Sequence, residues 1–279
     1  MQNKRMIWLA SSSLLVFGLA VLSGYGFAEE TDEKTELAKQ VQNPLSDLVR
    51  AGFQNNTSFG AGRNNFTFNT FNIQVDTTKR FGDWVLLNRL AIPLVYIPAS
   101  GIMQESGSSF GLGDIEYTGF IARDESKRFF RFMGGIGPTI QFNSATEDRL
   151  GTGKWSAGPT LGIAGAPGPW VFGVVFRNLW SFGGDPQRPP IDVFLAQPFV
   201  NYNFPNGWYL TSTPPLVANW EADSRDRWSL PIGGGLGKVL FRQEKRPLNV
   251  QVQGFYFVEK PDLAPDWMLR FQVQVLFPQ

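Results

Sequence analysis

The chain contains neither cysteine nor histidine in its 279 residues. Without cysteine there are no disulfides, no thiolate nucleophile and no thiolate metal site. Without histidine the commonest general base and the commonest metal ligand are missing. Ser-His-Asp hydrolases, Cys-His enzymes and most zinc chemistry are excluded together. Charge of one sign is lacking too: 25 Lys and Arg stand against 24 Asp and Glu, a formal +1, so no basic excess points to nucleic acid. Carboxylate and lysine mechanisms survive these exclusions, but the chain reads as a non-enzyme, with no catalytic residue, metal or cofactor expected.

Long apolar runs are also scarce. The one uncharged apolar stretch, residues 7–22, follows Lys4 and Arg5 and precedes Gly26-Phe27-Ala28. A positive start, an apolar middle and a small-x-small end make residues 1–28 a secretory signal peptide. The alternative is a retained anchor helix, for which the apolar part falls short of the ~20 residues that span a bilayer. No later helix-length segment is apolar enough to cross a membrane. Residues 29–50 are polar and acid-rich, with Leu37, Val41, Leu45 and Leu48 at three- to four-residue spacing. This predicts a loosely attached periplasmic segment with a short amphipathic helix over roughly 31–42, stopped by Pro44; plugging or capping a barrel, or forming a mobile tail, are its alternatives.

What the chain has in quantity is glycine (30), phenylalanine (25) and tryptophan (9), arranged in strand-like runs. The run at 267–277 is the clearest: Trp267, Leu269, Phe271, Val273, Val275 and Phe277 alternate with a face carrying Arg270, Gln272 and Gln274. A period of two means one apolar face and one wet face. So apolar an edge strand would be an aggregation hazard unless another strand closed over it. Eleven similar runs precede it, at about 51–60, 66–79, 84–97, 110–123, 129–142, 154–165, 170–182, 191–204, 207–219, 228–241 and 247–259. Many are longer than soluble strands and match tilted membrane strands. The predicted fold is all-β: a transmembrane antiparallel barrel of about twelve strands over residues 51–279.

The connectors alternate in length. Residues 99–109, 143–153 and 183–190 follow odd runs; 80–83, 124–128, 166–169, 205–206 and 242–246 follow even ones. Long external loops and tight periplasmic turns give that parity. Trp84, Trp170 and Trp208 fall at the turn ends of runs, and Trp155, Trp180, Trp220, Trp228 and Trp267 at the loop ends. These are the expected girdles at the two membrane interfaces. Two features strain the pattern. Run two switches phase between Phe68 and Phe71, predicting a bulge near Thr70. Prolines 93, 138, 159, 198, 214, 215 and 231 fall inside runs, where each removes a ladder donor; either bulges absorb them or some runs are two shorter strands.

If the apolar faces meet lipid, the opposite faces make a lumen. That phase sends Arg89, Asp114, Glu116, Arg131, Arg177 and Arg270 inward, with Gln74, Gln251, Gln253, Gln272 and Gln274. Such charges either select passing solutes or pair to fill a closed interior. Asp114 and Glu116, two apart, share a face; a structural ion-pair cluster is preferred over a glycosidase pair. Loop carboxylates Glu147, Asp148, Glu221, Asp223 and Asp226 follow no calcium-loop spacing. Gly233-Gly234-Gly235-Leu236-Gly237 lacks the Lys-Ser/Thr pair of a phosphate cradle.

The segment Phe110-Gly111-Leu112-Gly113-Asp114-Ile115 resembles a strand opening of the bacterial outer-membrane barrels grouped as the phenol-degradation meta-pathway transporter-like family. Residues 42–48 (QNPLSDL), residues 53–57 (FQNNT) and the closing Arg270-Phe271-Gln272-Val273-Gln274 resemble its subgroup labelled "transporter" or neuromedin U. The resemblance implies an outer-membrane location and uptake of small or hydrophobic compounds, and it carries no catalytic residue. The terminal aromatic usual in such barrels is replaced here, Phe277 being followed by Pro278-Gln279. The expected function is passage of a small solute across the outer membrane of a Gram-negative bacterium, with lipid and that solute as partners. A non-conducting barrel that binds a partner through its long loops is the alternative.

Overall fold

A computed structural model of the chain describes residues 33–43, 46, 48–99, 107–123, 132–242 and 245–278. The signal peptide expected over 1–28, Pro44 and Arg131 lie outside the described residues. One helix, α1 (Glu33–Gln42), precedes β1 (Leu48–Ala61), β2 (Phe66–Phe81), β3 (Trp84–Ile97), β4 (Ser109–Leu112) and β5 (Glu116–Arg123). There follow β6 (Phe132–Gln141), β7 (Lys154–Gly165), β8 (Trp170–Gly184), β9 (Asp192–Asn203), β10 (Trp208–Ser212) and β11 (Leu216–Asn219). The last three are β12 (Trp228–Arg242), β13 (Lys245–Glu259) and β14 (Trp267–Pro278).

Every pairing is antiparallel, and the sheet closes on itself. β14 pairs with β1 in unbroken register from Leu48 opposite Pro278 to Phe59 opposite Trp267. β4 and β5 both pair with β3, and β10 and β11 both lie between β9 and β12. Each of those two couples is one interrupted strand, so the fourteen segments build a closed barrel of twelve strands. Closure leaves no edge, which is what a bilayer demands of a sheet. The strands run inner-outer in alternation. On β14 the Met268, Arg270, Gln272, Gln274 and Leu276 face is buried, while Trp267, Leu269 and Phe271 are exposed. Ile136, Leu161, Ile232 and Leu236 continue the exposed apolar surface on other strands. An apolar coat of that extent would aggregate in water and is at home in lipid. No described helix is long and apolar enough to cross a membrane.

The prolines sit where ladders are already interrupted. Pro138 and Pro159 face each other across β6 and β7. The β5–β6 ladder skips from Thr118 to Ile121 beside Pro138, and the β7–β8 ladder skips from Ala157 to Thr160 beside Pro159. Pro93 supplies the carbonyl that accepts Gly113 N–H at 2.8 Å, at the gap between β4 and β5. Pro214 and Pro215 are the gap between β10 and β11, and Pro198 lies opposite them. Pro231 occupies a register shift against β13. Both expected remedies, split strands and bulges, are used.

The bulge expected near Thr70 is absent, because β2 pairs with β3 continuously from Asn69 to Phe81. The shift lies on β1, between Ser58 and Ala61, at Gly60 with φ 77°. Phe66 and Phe68 share the inner parity of Asn72 and Gln74, so the aromatic run changes face without any change in backbone phase. The alternation misled because it assumed a polar inner face along the whole strand.

Candidate functional site in the barrel lumen

The inner faces enclose a cavity of about 490 Å³ lined by residues of β1, β2, β3, β5, β8, β9, β10, β13 and β14. Arg89, Asp114, Glu116, Arg177 and Arg270 line it, together with Arg50 and Asp76. Of these seven, Arg50 and Asp76 were not singled out in the sequence, although the alternation of β1 and β2 places both on the inner face. A recess of about 90 Å³ opens from the same wall, with Leu87, Phe120, Val175, Leu195 and Phe199 supplying its apolar lining beside Arg89 and Arg177.

The charges on this wall are organised in pairs. Asp76 on β2 lies cross-strand from Arg89 on β3 and accepts from Arg89 Nε at 2.8 Å and Nη2 at 3.0 Å. That two-pronged geometry is the strong form of the guanidinium–carboxylate pair. Glu116 on β5 accepts from Arg177 on β8, so that pair spans two intervening strands and braces the interior. Below it, Thr118, Thr139 and Thr160 form a hydroxyl ladder across β5, β6 and β7, with contacts of 2.8 and 2.5 Å.

Asp114 has a different task. It lies in the break between β4 and β5, and its carboxylate accepts from Ser144 N, Ala145 N, Thr152 N, Thr152 Oγ1 and Gln141 Nε2. The side chain is therefore the hub of the long connector between β6 and β7. Gly111 makes room for this fold, since a Cβ there would lie 2.1 Å from Thr146 Oγ1. Arg188, from the connector after β8, reaches the carbonyls of Asp148, Gly151 and Thr152 and ties the two loops together.

The opposite wall is built from carboxamides. Gln251 donates to Gln272, and Tyr209 O–H donates to Asn249, which donates to Gln274 at 3.0 Å. Arg270 projects from this neutral wall. Its Nε donates to Asn56 Oδ1, and its Nη1 to the carbonyl and hydroxyl of Thr213.

At the end of the barrel with the short turns, α1 lies in the mouth. Leu37, Ala38 and Val41 are buried against Leu48, Tyr209, Val239 and Leu276. Glycine makes that fit possible on β12, where a Cβ at Gly237 would meet the Tyr209 ring at 2.1 Å. Gln42 and Asn203 exchange hydrogen bonds of 2.8 and 2.9 Å. Arg50 reaches the carbonyls of Gln40 and Asn43, placing a cation where the helix dipole favours one.

On the outside, Trp84, Trp155, Trp170, Trp180, Trp208, Trp220 and Trp267 are exposed and Trp228 is half-buried against Trp220. Trp84, Trp170 and Trp208 start strands at the turn end; the other five lie at the loop end. Lys238 lies 4.4 Å over the Trp208 ring, and Trp220 Nε1 donates to Asn178. Among the described residues no carboxylate cluster is built to hold a metal ion.

No protein-family model and no curated protein matches the chain. Among solved structures it is similar to the COG4313 outer membrane channel from Pseudomonas putida F1, at 16% identity and a TM-score of 0.64, over 82% of this chain and 94% of that one. It is also similar to the NanC porin, at 11% identity and a TM-score of 0.47, over 82% and 98%. The beta domain of the Bordetella autotransporter BrkA gives 11% identity and a TM-score of 0.41, over 83% and 100%. At 16% identity the first likeness is one of fold: the chain folds as a bacterial outer-membrane barrel does.

Proposed function

We propose that the protein lies in the outer membrane of a Gram-negative bacterium and passes small solutes, hydrophobic ones among the candidates, through or along its barrel. The single observation that carries this reading is the pairing of surfaces: an apolar coat outside and a charged, amide-lined cavity of about 490 Å³ inside. The eight rim tryptophans fit two membrane interfaces, with the short turns and α1 on the periplasmic side. Passage agrees with the likeness of this fold to the outer membrane channel from Pseudomonas putida F1. Arg89, Glu116 and Arg177 then line the route, and the apolar recess beside them offers a foothold to a non-polar group.

The measurement that tests it is conductance of the purified protein in a planar bilayer. Discrete steps are expected. A silent barrel that still shows heat-dependent gel mobility and a β spectrum would overturn passage and favour binding of a partner through the loops, which Asp114 and Arg188 hold in a fixed shape.

A further inference from the structure

Among the described residues seven charged side chains face the cavity, four guanidinium groups against three carboxylates. The imbalance has an address. Arg89 has Asp76 and Arg177 has Glu116. Arg50 lies at the carbonyl end of α1, close enough to Asp76 to feel its charge. Asp114 is committed to backbone and hydroxyl donors of its loop. Arg50, whose Nε lacks a partner, is held at the helix end; of the four, Arg270 is the guanidinium with neither a carboxylate nor a helix end beside it. It is 5% exposed, and its three hydrogen bonds go to neutral oxygens of Asn56 and Thr213. No described carboxylate pairs with it, and its Nη2 makes no hydrogen bond to a described residue.

A second, independent observation lies directly across the strand. Gln253 is the register partner of Arg270 and is 1% exposed. Its Oε1 accepts from Thr213 N and Oγ1 at 3.1 Å, which fixes which way the amide points, and its Nε2 has no partner. Behind one corner of the wall a buried amide donor lacks an acceptor, and the guanidinium beside it, on the cavity lining, has no counter-charge among the described residues. Leaving a buried donor unmade costs free energy, more so for a charged one. A pairing of that kind is stable when something supplies the missing negative charge.

We propose that Arg270 is an anion subsite of the lumen, taking a small carboxylate whose oxygen accepts from Nη2, and that it makes the passage prefer anionic solutes to cations. Guanidinium–carboxylate hydrogen bonds are short and charge-assisted, so a carboxylate is favoured there over chloride. The ring of Phe255, 5.1 Å from the guanidinium carbon, covers one face and leaves the edge for the ligand. The site deepens the passage reading given above but is separable from it, because occupancy can be measured without transport.

The binding experiment uses the full protein in detergent and follows its thermal midpoint as potassium acetate replaces potassium chloride at constant ionic strength. The wild type is expected to gain about 2 °C through ligand linkage. Arg270→Gln should not respond. Gln253→Glu supplies an internal counter-charge while keeping the acceptor for Thr213, so it should fold well and also not respond. An equal acetate shift in wild type and in Gln253→Glu, or no shift in wild type, would overturn the subsite. Bilayer recordings in a salt gradient complete the test. A reversal potential favouring the anion in wild type, and lost in Gln253→Glu, supports selection at Arg270. A silent bilayer with the acetate shift intact sinks the passage reading and leaves the subsite standing.

Discussion

At the turn end, α1 meets the barrel through Leu37, Ala38 and Val41, packed on Leu48, Tyr209, Val239 and Leu276. At the loop end, the connector between β6 and β7 is held mainly by hydrogen bonds: Asp114 takes five donors, Ser144 and Thr146 bond to the backbone at the break between β4 and β5, and Arg188 reaches the connector's carbonyls. Apolar burial is non-directional, and its strength grows with the area covered. A carboxylate hub is directional, and its strength depends on how many donors it keeps aligned. The helix rests mainly on apolar burial, with the Gln42–Asn203 pair and Arg50 adding a few directional bonds, whereas the loop depends mainly on donors converging on one hub. The two ends of one cavity are governed by different kinds of restraint.

The largest expected effect attacks the apolar end. Val41→Asp puts an unpaired charge into a buried cluster, which costs more than one turn of helix recovers. The helix should leave the mouth, raising conductance several-fold with little change in the β spectrum. Unchanged conductance would mean that α1 does not limit the opening. Next comes the loop latch. Asp114→Ala removes the acceptor for five donors and should cost roughly 3 kcal/mol. It should expose residues 143–153 to protease while leaving α1 protected from hydrogen exchange. Loss of protection at α1 as well would show that the two ends are coupled. The smallest effect is Arg188→Ala, expected to cost about 1 kcal/mol in thermal stability. Because the carbonyls it touches already lie near water, it should leave conductance alone.

The barrel itself was legible because lipid imposes a strict rule: the outer face must be apolar, so strands such as β14 show a period of two over their whole length. The Trp positions and the parity of the connectors express the same rule at the membrane borders. Features whose cause lies inside the barrel were harder to read. Phe66 and Phe68 face inward, where nothing obliges a residue to be polar, and they produced an expectation of a bulge that is not there. Proline positions were visible, but not that Pro138 and Pro159 would face each other, because that depends on the register of two strands. Asp114 was read as a lumen charge from its spacing to Glu116. Its donors come from residues 141–152, and no local pattern announces that loop's return. Arg270 was placed by alternation; its want of a counter-charge is a property of the neighbours that five other strands bring to the cavity.

The closing seam between β1 and β14 joins residues 48–59 to residues 267–278. Those are contacts between the first and last strands of the barrel, and such contacts require a large loop to close first. The apolar seat of α1 is assembled from β1, β10, β12 and β14, two of which are the two sides of that seam. The helix has nowhere to dock until the ring has shut. Its seat is complete only when the two sides of the seam are joined, so burial of α1 serves as a report that the barrel is closed.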